Sequence, residues 1–296
     1  MKAPSLTPGG VIGICSPCSI MKPEVMKPMM AEMENLGFRV REAEHLYSDG
    51  DGYLPTPEAR AADFHQLLQD DEVGLILFGG GEGGNELLPL LDFEAIRRHP
   101  KRIASYSDGT TILNAVRAIT GLETYYGASP RCFAGGISDY DRWHFEHHLV
   151  FDDAQEHLAG APWQVATEGV AEGVLVGGYA RNFAMLLGSR YFPCDPQEKH
   201  ILFLEDHEMF GGLDYVSAML SHIEQSDWMA SVTGLLFGHY SAKPQPYLMA
   251  RLRRLGERWH IPVAYCDDFG HGERHAVLPI GRMARLDTEK RVLRYL

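Results

Sequence analysis

The chain has 296 residues, 45% of them hydrophobic and 23% charged, with a formal net charge of −13; that is enough apolar surface for a substantial core and enough length for two domains. An acidic balance of this size argues against a nucleic-acid partner, because phosphates select a basic surface. No segment reaches the roughly 18 uninterrupted apolar residues of a membrane span, no charged-then-apolar leader is evident, and five cysteines form no obvious disulfide framework, so a soluble cytoplasmic protein with no membrane partner is expected.

Strand and helix patterns alternate from the beginning. Val11 to Cys15 reads as a strand, Glu24 to Leu36 as a Met-rich amphipathic helix, Phe38 to Arg41 as a strand and Glu58 to Leu68 as a helix. Strands at Val73 to Phe78, Arg102 to Ser105 and Glu123 to Tyr126 follow, with a helix from Thr110 to Ile119. Such alternation predicts an open, mainly parallel sheet covered by helices. Ser138 to Pro162 is charged and aromatic with weak periodicity and reads as a connection. Beyond Trp163 come strands at Val174 to Val176, Ile201 to Leu204, Val232 to Phe237, Val263 to Tyr265, Ala284 to Asp287 and Val292 to Tyr295, with helices at Arg181 to Leu187, Asp214 to Glu224 and Tyr247 to Trp259. The expected architecture is α/β in two domains. Residues 1–150, connection included, form a Rossmann-like sheet flanked by helices, and residues 151–296 form an α/β domain with mixed strands.

Ser107 sits where the strand pattern breaks on small residues and a helical pattern starts at once. A side chain on such a turn projects away from the sheet, and the helix N-terminus offers N–H groups to a developing oxyanion. The arrangement imitates a G-x-S-x-G elbow, with Ser105 in place of the first glycine and Gly109 as the last; capping of the helix by Ser107 and Asp108 is the rival reading. An apolar strand ends in Glu205 and Asp206, and His271 lies between Gly270 and Gly272 after another strand, with His275 as a rival base. Serine, acid and histidine thus each follow the C-terminal end of a strand, where α/β folds place their chemistry.

The run Gly79-Gly80-Gly81-Glu82-Gly83-Gly84 satisfies G-x-G-x-x-G, but no acidic residue ends a following strand about 20 residues later, as a dinucleotide's ribose requires. Its better reading is a backbone that aims the N–H of Gly80 or Gly81 at a reacting carbonyl, with the Asp108 N–H as second donor. Cys15-Ser16-Pro17-Cys18 has no second C-x-x-C and reads as a structural turn. His144, His147 and His148 share a helical spacing but no assignable acidic partner, and read as the polar face of a connecting helix. No metal and no organic cofactor is expected.

The ordered set of segments resembles the LD-carboxypeptidase family of serine peptidases, which also contains the microcin-immunity peptidases. The resemblance runs from Val11 to Pro17 through Arg60 to Asp63, the glycine turn, Leu87-Leu88-Pro89 with Asp92, Tyr106-Ser107-Asp108, Gly177-Gly178, Leu204-Glu205-Asp206 and Gly270-His271 to Leu278-Pro279-Ile280-Gly281. It implies a Ser107, Glu205, His271 triad assembled across the domain interface. It also implies release of terminal D-Ala from muropeptide tetrapeptides imported for cell-wall recycling, and a homodimer, as family members often are. Where such peptidases often carry Arg and Tyr beside the glycine pair, this chain has Gly79 and Glu82, and the acidic residue after the pair is similar to the immunity branch acting on aminoacyl-nucleotide conjugates. Glu82 is the candidate to hold a substrate ammonium, and Arg131 and Arg181 are the candidates to hold a free carboxylate. Two readings of other classes are a non-catalytic dinucleotide-binding module, resting on the glycine turn, and a cysteine amidotransferase.

Overall fold

The computed structural model describes residues 1–19, 21–47, 55–243 and 245–296. Its first sheet comprises β1 (Val11–Ile14), β2 (Arg39–Glu42), β3 (Val73–Leu77), β4 (Arg102–Ser105), β5 (Thr124–Tyr126) and a late strand, Leu278–Ile280, in the order late strand, β5, β4, β3, β1, β2. Neighbours within β2-β1-β3-β4-β5 are parallel, whereas the late strand runs antiparallel to β5. The late strand is β11, and the second sheet comprises β6 (Gln164–Thr167), β7 (Val170–Tyr179), β8 (His200–Glu205), β9 (Val232–Phe237), β10 (Val263–Tyr265), β12 (Met283–Asp287) and β13 (Val292–Tyr295). Its order is β13-β12-β7-β8-β9-β10-β6, with a parallel centre from β7 to β10 and antiparallel strands at both edges. The expected mixed α/β architecture is therefore observed, and the buried strands read as the apolar runs that doubly covered parallel sheets require.

The helices are α1 (Pro23–Asn35), α2 (Pro57–Gln69), α3 (Gly84–Leu87), α4 (Phe93–Arg98), α5 (Gly109–Thr120), α6 (Asp139–Phe145), α7 (Ala180–Leu186), α8 (Leu213–Glu224) and α9 (Pro246–Trp259). Local chemistry sets their ends. Proline opens α1, α2 and α9, where its missing N–H has no helical partner to lose. The Thr56 hydroxyl accepts from the Ala59 N–H at 3.2 Å, and the Asp92 carboxylate accepts from Ala95 at 2.9 Å. On α1 the methionines Met26, Met30 and Met33 form the buried stripe.

Helix α5 matters most for the site. Every residue from Gly109 to Val116 is buried, because the helix lies against β4 and β5 on one side and β7 on the other. Asn114 fixes that docking, donating Nδ2 to the Gly177 carbonyl at 2.8 Å and accepting the Gly177 N–H at 3.2 Å. The Thr110 hydroxyl accepts the Tyr179 N–H at 2.9 Å. The turn that carries Ser107 is thereby held in register with the second sheet.

Several features depart from the sequence expectation, among them strand β6 and the short helices α3 and α4, which it did not contain. Strand β11 falls in a short segment containing Pro279, with too few residues for a periodic signal; an edge position tolerates the missing N–H. Strand β7 starts at Val170 and runs to Tyr179, well beyond the expected core at Val174 to Val176. The supposed connection after Ser138 holds α6 and a π-helical turn over Glu146–Val150. Within it His144 and His148 are fully buried, so the expected polar helix face is corrected: only His147 is left partly outside, stacked on Trp143 and paired with Asp153. Among the described residues no helix is long and apolar enough to cross a membrane.

Candidate active site

The parallel strands of both sheets deliver their C-terminal ends to one cavity of about 600 Å³, the size range of small-molecule sites. The turn after β3 supplies the glycine run, the turn after β4 supplies Ser107, β7 ends at Tyr179 and β8 ends at Glu205. Ser107 has φ +53°, an uncommon left-handed conformation for a side chain with a Cβ. The fold tolerates it because only three residues, Tyr106, Ser107 and Asp108, join β4 to α5.

The imidazole of His271 bridges the cavity floor. Its Nε2 lies 2.9 Å from Ser107 Oγ and its Nδ1 2.8 Å from Glu205 Oε2. Glu205 is fully buried, while the His271 side chain keeps 9% exposure toward the cavity. The second carboxylate oxygen, Oε1, accepts the Tyr126 hydroxyl at 2.6 Å, and that hydroxyl accepts the Ser107 N–H at 3.1 Å. Rings of Tyr106, Tyr179 and Phe210 surround the imidazole with centroids 5.4, 5.2 and 4.8 Å away. Gly270 has φ +110°, and a Cβ there would stand 2.7 Å from Glu205 Oε2, so glycine is what lets the histidine loop close on the acid.

His275, the rival base, is occupied elsewhere. Its Nδ1 lies 3.2 Å from Asp141 Oδ2 and its N–H donates to Asp141 Oδ1 at 2.8 Å; it lines the cavity without hydrogen-bonding Ser107. Asp206, the other acid of the pair, has one oxygen on the His207 N–H and the other unpartnered among the described residues. Burial, with help from neighbouring Glu205, pushes its carboxyl up to about 6.

The glycine turn is pressed against the serine: a Cβ on Gly80 would lie 2.4 Å from Ser107 Cβ. Gly80 and Gly81 both line the cavity. Asp108, which caps α5 with its backbone, also uses its carboxylate, accepting the Gly84 N–H at 2.6 Å and Asn182 Nδ2 at 2.5 Å. Burial raises this carboxyl, and the two donors counter it. The side chain therefore ties the glycine turn, the serine turn and α7 together, a role that sequence reading missed. The Asp108 N–H has no hydrogen-bond partner among the described residues.

The substrate-side candidates also converge on the cavity. Glu82, Arg131 and Arg181 all line it. Glu82 is held through its N–H on the Cys18 carbonyl at 2.6 Å, with an exposed side chain. Arg131 is exposed and sits beside Tyr106, forming no ion pair among the described residues. Arg181 is more committed: its guanidinium lies over Tyr215 and Tyr179, 5.0 and 5.7 Å from the ring centroids, and Nη2 donates to the Phe210 carbonyl at 3.3 Å.

The rival chemistries find less support. The helix after the glycine turn, α3, has a single turn, unlike the long helix that a dinucleotide pyrophosphate caps. Burial pushes every cysteine thiol up, that of Cys132 to about 12, and none of the five hydrogen-bonds His271.

Fold and site together define a serine peptidase. The chain belongs to the LD-carboxypeptidase family, whose N-terminal domain model matches residues 12–127 and whose C-terminal domain model matches residues 172–286. It is 29% identical to the putative carboxypeptidase YocD of Bacillus subtilis, over 97% of this chain and 96% of that protein. It is 27% identical to a probable murein peptide carboxypeptidase of the same organism, over 98% and 92%. Among solved structures, an MccF-like protein from Bacillus anthracis superimposes with a TM-score of 0.90 at 27% identity, covering 100% of this chain and 99% of that one.

Proposed function

We propose that the protein is an LD-carboxypeptidase that removes terminal D-Ala from muropeptide tetrapeptides, with Ser107, His271 and Glu205 as its triad. The observation that carries this reading is the imidazole held between Ser107 Oγ at 2.9 Å and Glu205 Oε2 at 2.8 Å, within hydrogen-bond reach on both sides as proton transfer requires. His271 Nε2 takes the hydroxyl proton as Oγ attacks the carbonyl carbon between the L-centre of diaminopimelate or lysine and D-Ala. Glu205 fixes the tautomer that presents a bare Nε2 and stabilises the imidazolium. The Asp108 N–H and a glycine-turn N–H from Gly80 or Gly81 receive the oxyanion. The imidazolium then protonates the departing amine of D-Ala, leaving an ester on Ser107. A water deprotonated by His271 hydrolyses that ester and restores the hydroxyl.

Arg131 is the better carboxylate anchor, since Arg181 is already stacked and hydrogen-bonded within the protein. Glu82 would hold the free ammonium of the diamino acid. The relative named a murein peptide carboxypeptidase supports this substrate class. A peptidase of this kind would act in the cytoplasm on imported muropeptides during peptidoglycan recycling, as a homodimer.

A second reading, cleavage of aminoacyl-nucleotide conjugates, is favoured by the MccF-like structural neighbour and by Phe210, 42% exposed on the cavity rim as a platform for a base. Mass spectrometry of products from a muropeptide mixture, run beside an aminoacyl-sulfamoyl nucleoside, separates the two. Loss of one alanine mass from tetrapeptides is the expected result, and turnover of the nucleoside alone would replace the first reading with the second.

A further inference from the structure

Tyr126 belongs to no part of the proposed triad, yet its hydroxyl touches two of the three residues. It accepts the Ser107 N–H at 3.1 Å and donates to Glu205 Oε1 at 2.6 Å. The phenol has one proton. Because a backbone N–H can only donate, that proton faces the carboxylate, and the direction of the chain is fixed. Tyr126 and Glu205 are both fully buried, so water does not replace either bond. The ring is held in place by Phe203, with centroids 5.6 Å apart.

We propose that Tyr126 is a positioning residue whose hydroxyl locks the backbone of the nucleophile to the carboxylate of the triad. The proposal rests on the Ser107, His271, Glu205 reading above. Ser107 holds an uncommon φ of +53°, and a strained residue persists where its surroundings over-determine it. Its N–H turns inward, away from the cavity, and Tyr126 is the acceptor that keeps it there. The Ser107 N–H is thereby removed from the set of oxyanion donors, while the adjacent Asp108 N–H stays unpaired. On the other side, Glu205 uses Oε2 for His271 and would be free to rotate about its last bond if Oε1 had no donor. Tyr126 supplies it.

The placement is also economical in the fold. Tyr126 is the last residue of β5 and pairs in register with Ser105, the last residue of β4, so the strand beside the elbow carries the lock. Glu205 comes from β8 in the other sheet. One hydroxyl therefore couples the two sheets at the reacting centre. Burial and the adjacent Glu205 push the phenol well above its ordinary range, which keeps it a donor wherever the triad works.

The test is labelling of Ser107 by a fluorophosphonate, in which Oγ forms the bond to phosphorus, fluoride leaves and His271 takes the proton. Tyr126→Phe keeps the ring and should slow labelling roughly 10- to 100-fold, the scale of losing buried hydrogen bonds at a charged group. The kcat for tetrapeptide should fall by the same factor with KM nearly unchanged. The Nδ1 proton resonance of His271 should also move, because its acceptor loses a competing donor. Labelling of Tyr126→Phe at the wild-type rate overturns the proposal. Should that variant fail to fold, 3-fluorotyrosine at position 126 retains the hydroxyl as a stronger donor. It should keep activity and shift the same resonance, and an unmoved resonance overturns the proposal equally. Ser107→Ala separates the two layers of inference: wild-type label found on a residue other than Ser107 would sink the triad, and this proposal with it.

Discussion

Two regions of this protein are rich in histidine, and they treat the imidazole in opposite ways. At the cavity floor both ring nitrogens of His271 have partners, a carboxylate on one side and a hydroxyl on the other. Between α6 and the second sheet, His144, His148 and His157 crowd together with centroids 5.7 and 5.3 Å apart. There Nδ1 of His144, both nitrogens of His148 and Nδ1 of His157 lack partners among the described residues. Burial first, and then His157, lowers His144 to about 3, while burial and His144 drive His148 well below its usual value. His157 does have a carboxylate, Asp268, at 3.0 Å, but that acid also accepts from Trp163 Nε1 and the Gly160 N–H. A histidine–carboxylate pair is therefore not machinery in itself. What distinguishes the catalytic candidate is a hydroxyl on the far nitrogen and an opening to the cavity.

The largest effect expected from this contrast is on turnover. Ser107→Ala and His271→Ala should each lower kcat/KM for D-Ala release roughly 10⁴- to 10⁶-fold with the fold intact. His275→Ala and His157→Gln should stay within about tenfold of wild type, because neither ring reaches a hydroxyl that faces substrate. Coupled assay of released D-Ala checks the ranking. A loss at His275 or His157 as deep as that at His271 would erase the distinction between the two regions.

Glu205→Gln probes the carboxylate side of the same contrast. The amide keeps the shape but favours the wrong imidazole tautomer, so kcat should fall about 10²- to 10⁴-fold with little change in KM. A variant that raises KM alone would make Glu205 a substrate-binding group.

The triad candidates were legible in the sequence because each follows an apolar strand, and strand ends in α/β sheets are few. Ser107 stands out by its abrupt strand-to-helix change, and His271 by its glycine neighbours, one of which proves to be forced by Glu205. Assigning Glu205 rather than Asp206 came from family resemblance, since both follow the same strand. Tyr126 and the carboxylate of Asp108 were not legible, because a tyrosine ending a buried strand and an aspartate starting a helix look like ordinary packing and capping. Their roles arise from contacts 79 and 74 residues away in sequence, which no local pattern records. The buried histidines were misread for the converse reason. Helical spacing shows which residues share a face but not what that face meets.

A smaller effect is expected on substrate binding. Arg131→Ala should raise KM for the tetrapeptide roughly 10- to 100-fold, as expected for losing a charge-assisted bond to a carboxylate. Arg181→Ala should act less, because its guanidinium is occupied by Tyr179, Tyr215 and the Phe210 carbonyl. Equal KM values for wild type and Arg131→Ala would move the anchor to Arg181 or remove it.

The smallest effect concerns stability and tests the histidine cluster directly. His144 holds its proton only below about 3 when folded, whereas an unfolded histidine takes one near 6.5. The unfolded chain thus binds more protons between those values, and stability falls as pH drops through that window. His148 acts in the same sense, as do His65, His200 and His207, each lowered chiefly by burial. Asp206 opposes them: its folded value of about 6 exceeds the ordinary 3.8, so the folded state gains a proton first and stability rises as pH falls from about 6 toward 4. Asp108, raised by burial, and His45, raised by its hydrogen bond to Asp63, oppose them in the same sense. With five lowered histidines against three such groups, the net slope should favour the histidines, each proton being worth about 1.4 kcal/mol per pH unit. Urea midpoints at pH 7 and pH 5 should therefore drop on acidification. His148→Leu should flatten the drop by about one proton's worth, while leaving kcat at pH 7 unchanged. If the variant and wild type lose the same stability over that range, His148 is not a buried neutral imidazole, and the contrast with His271 rests on the open hydroxyl alone.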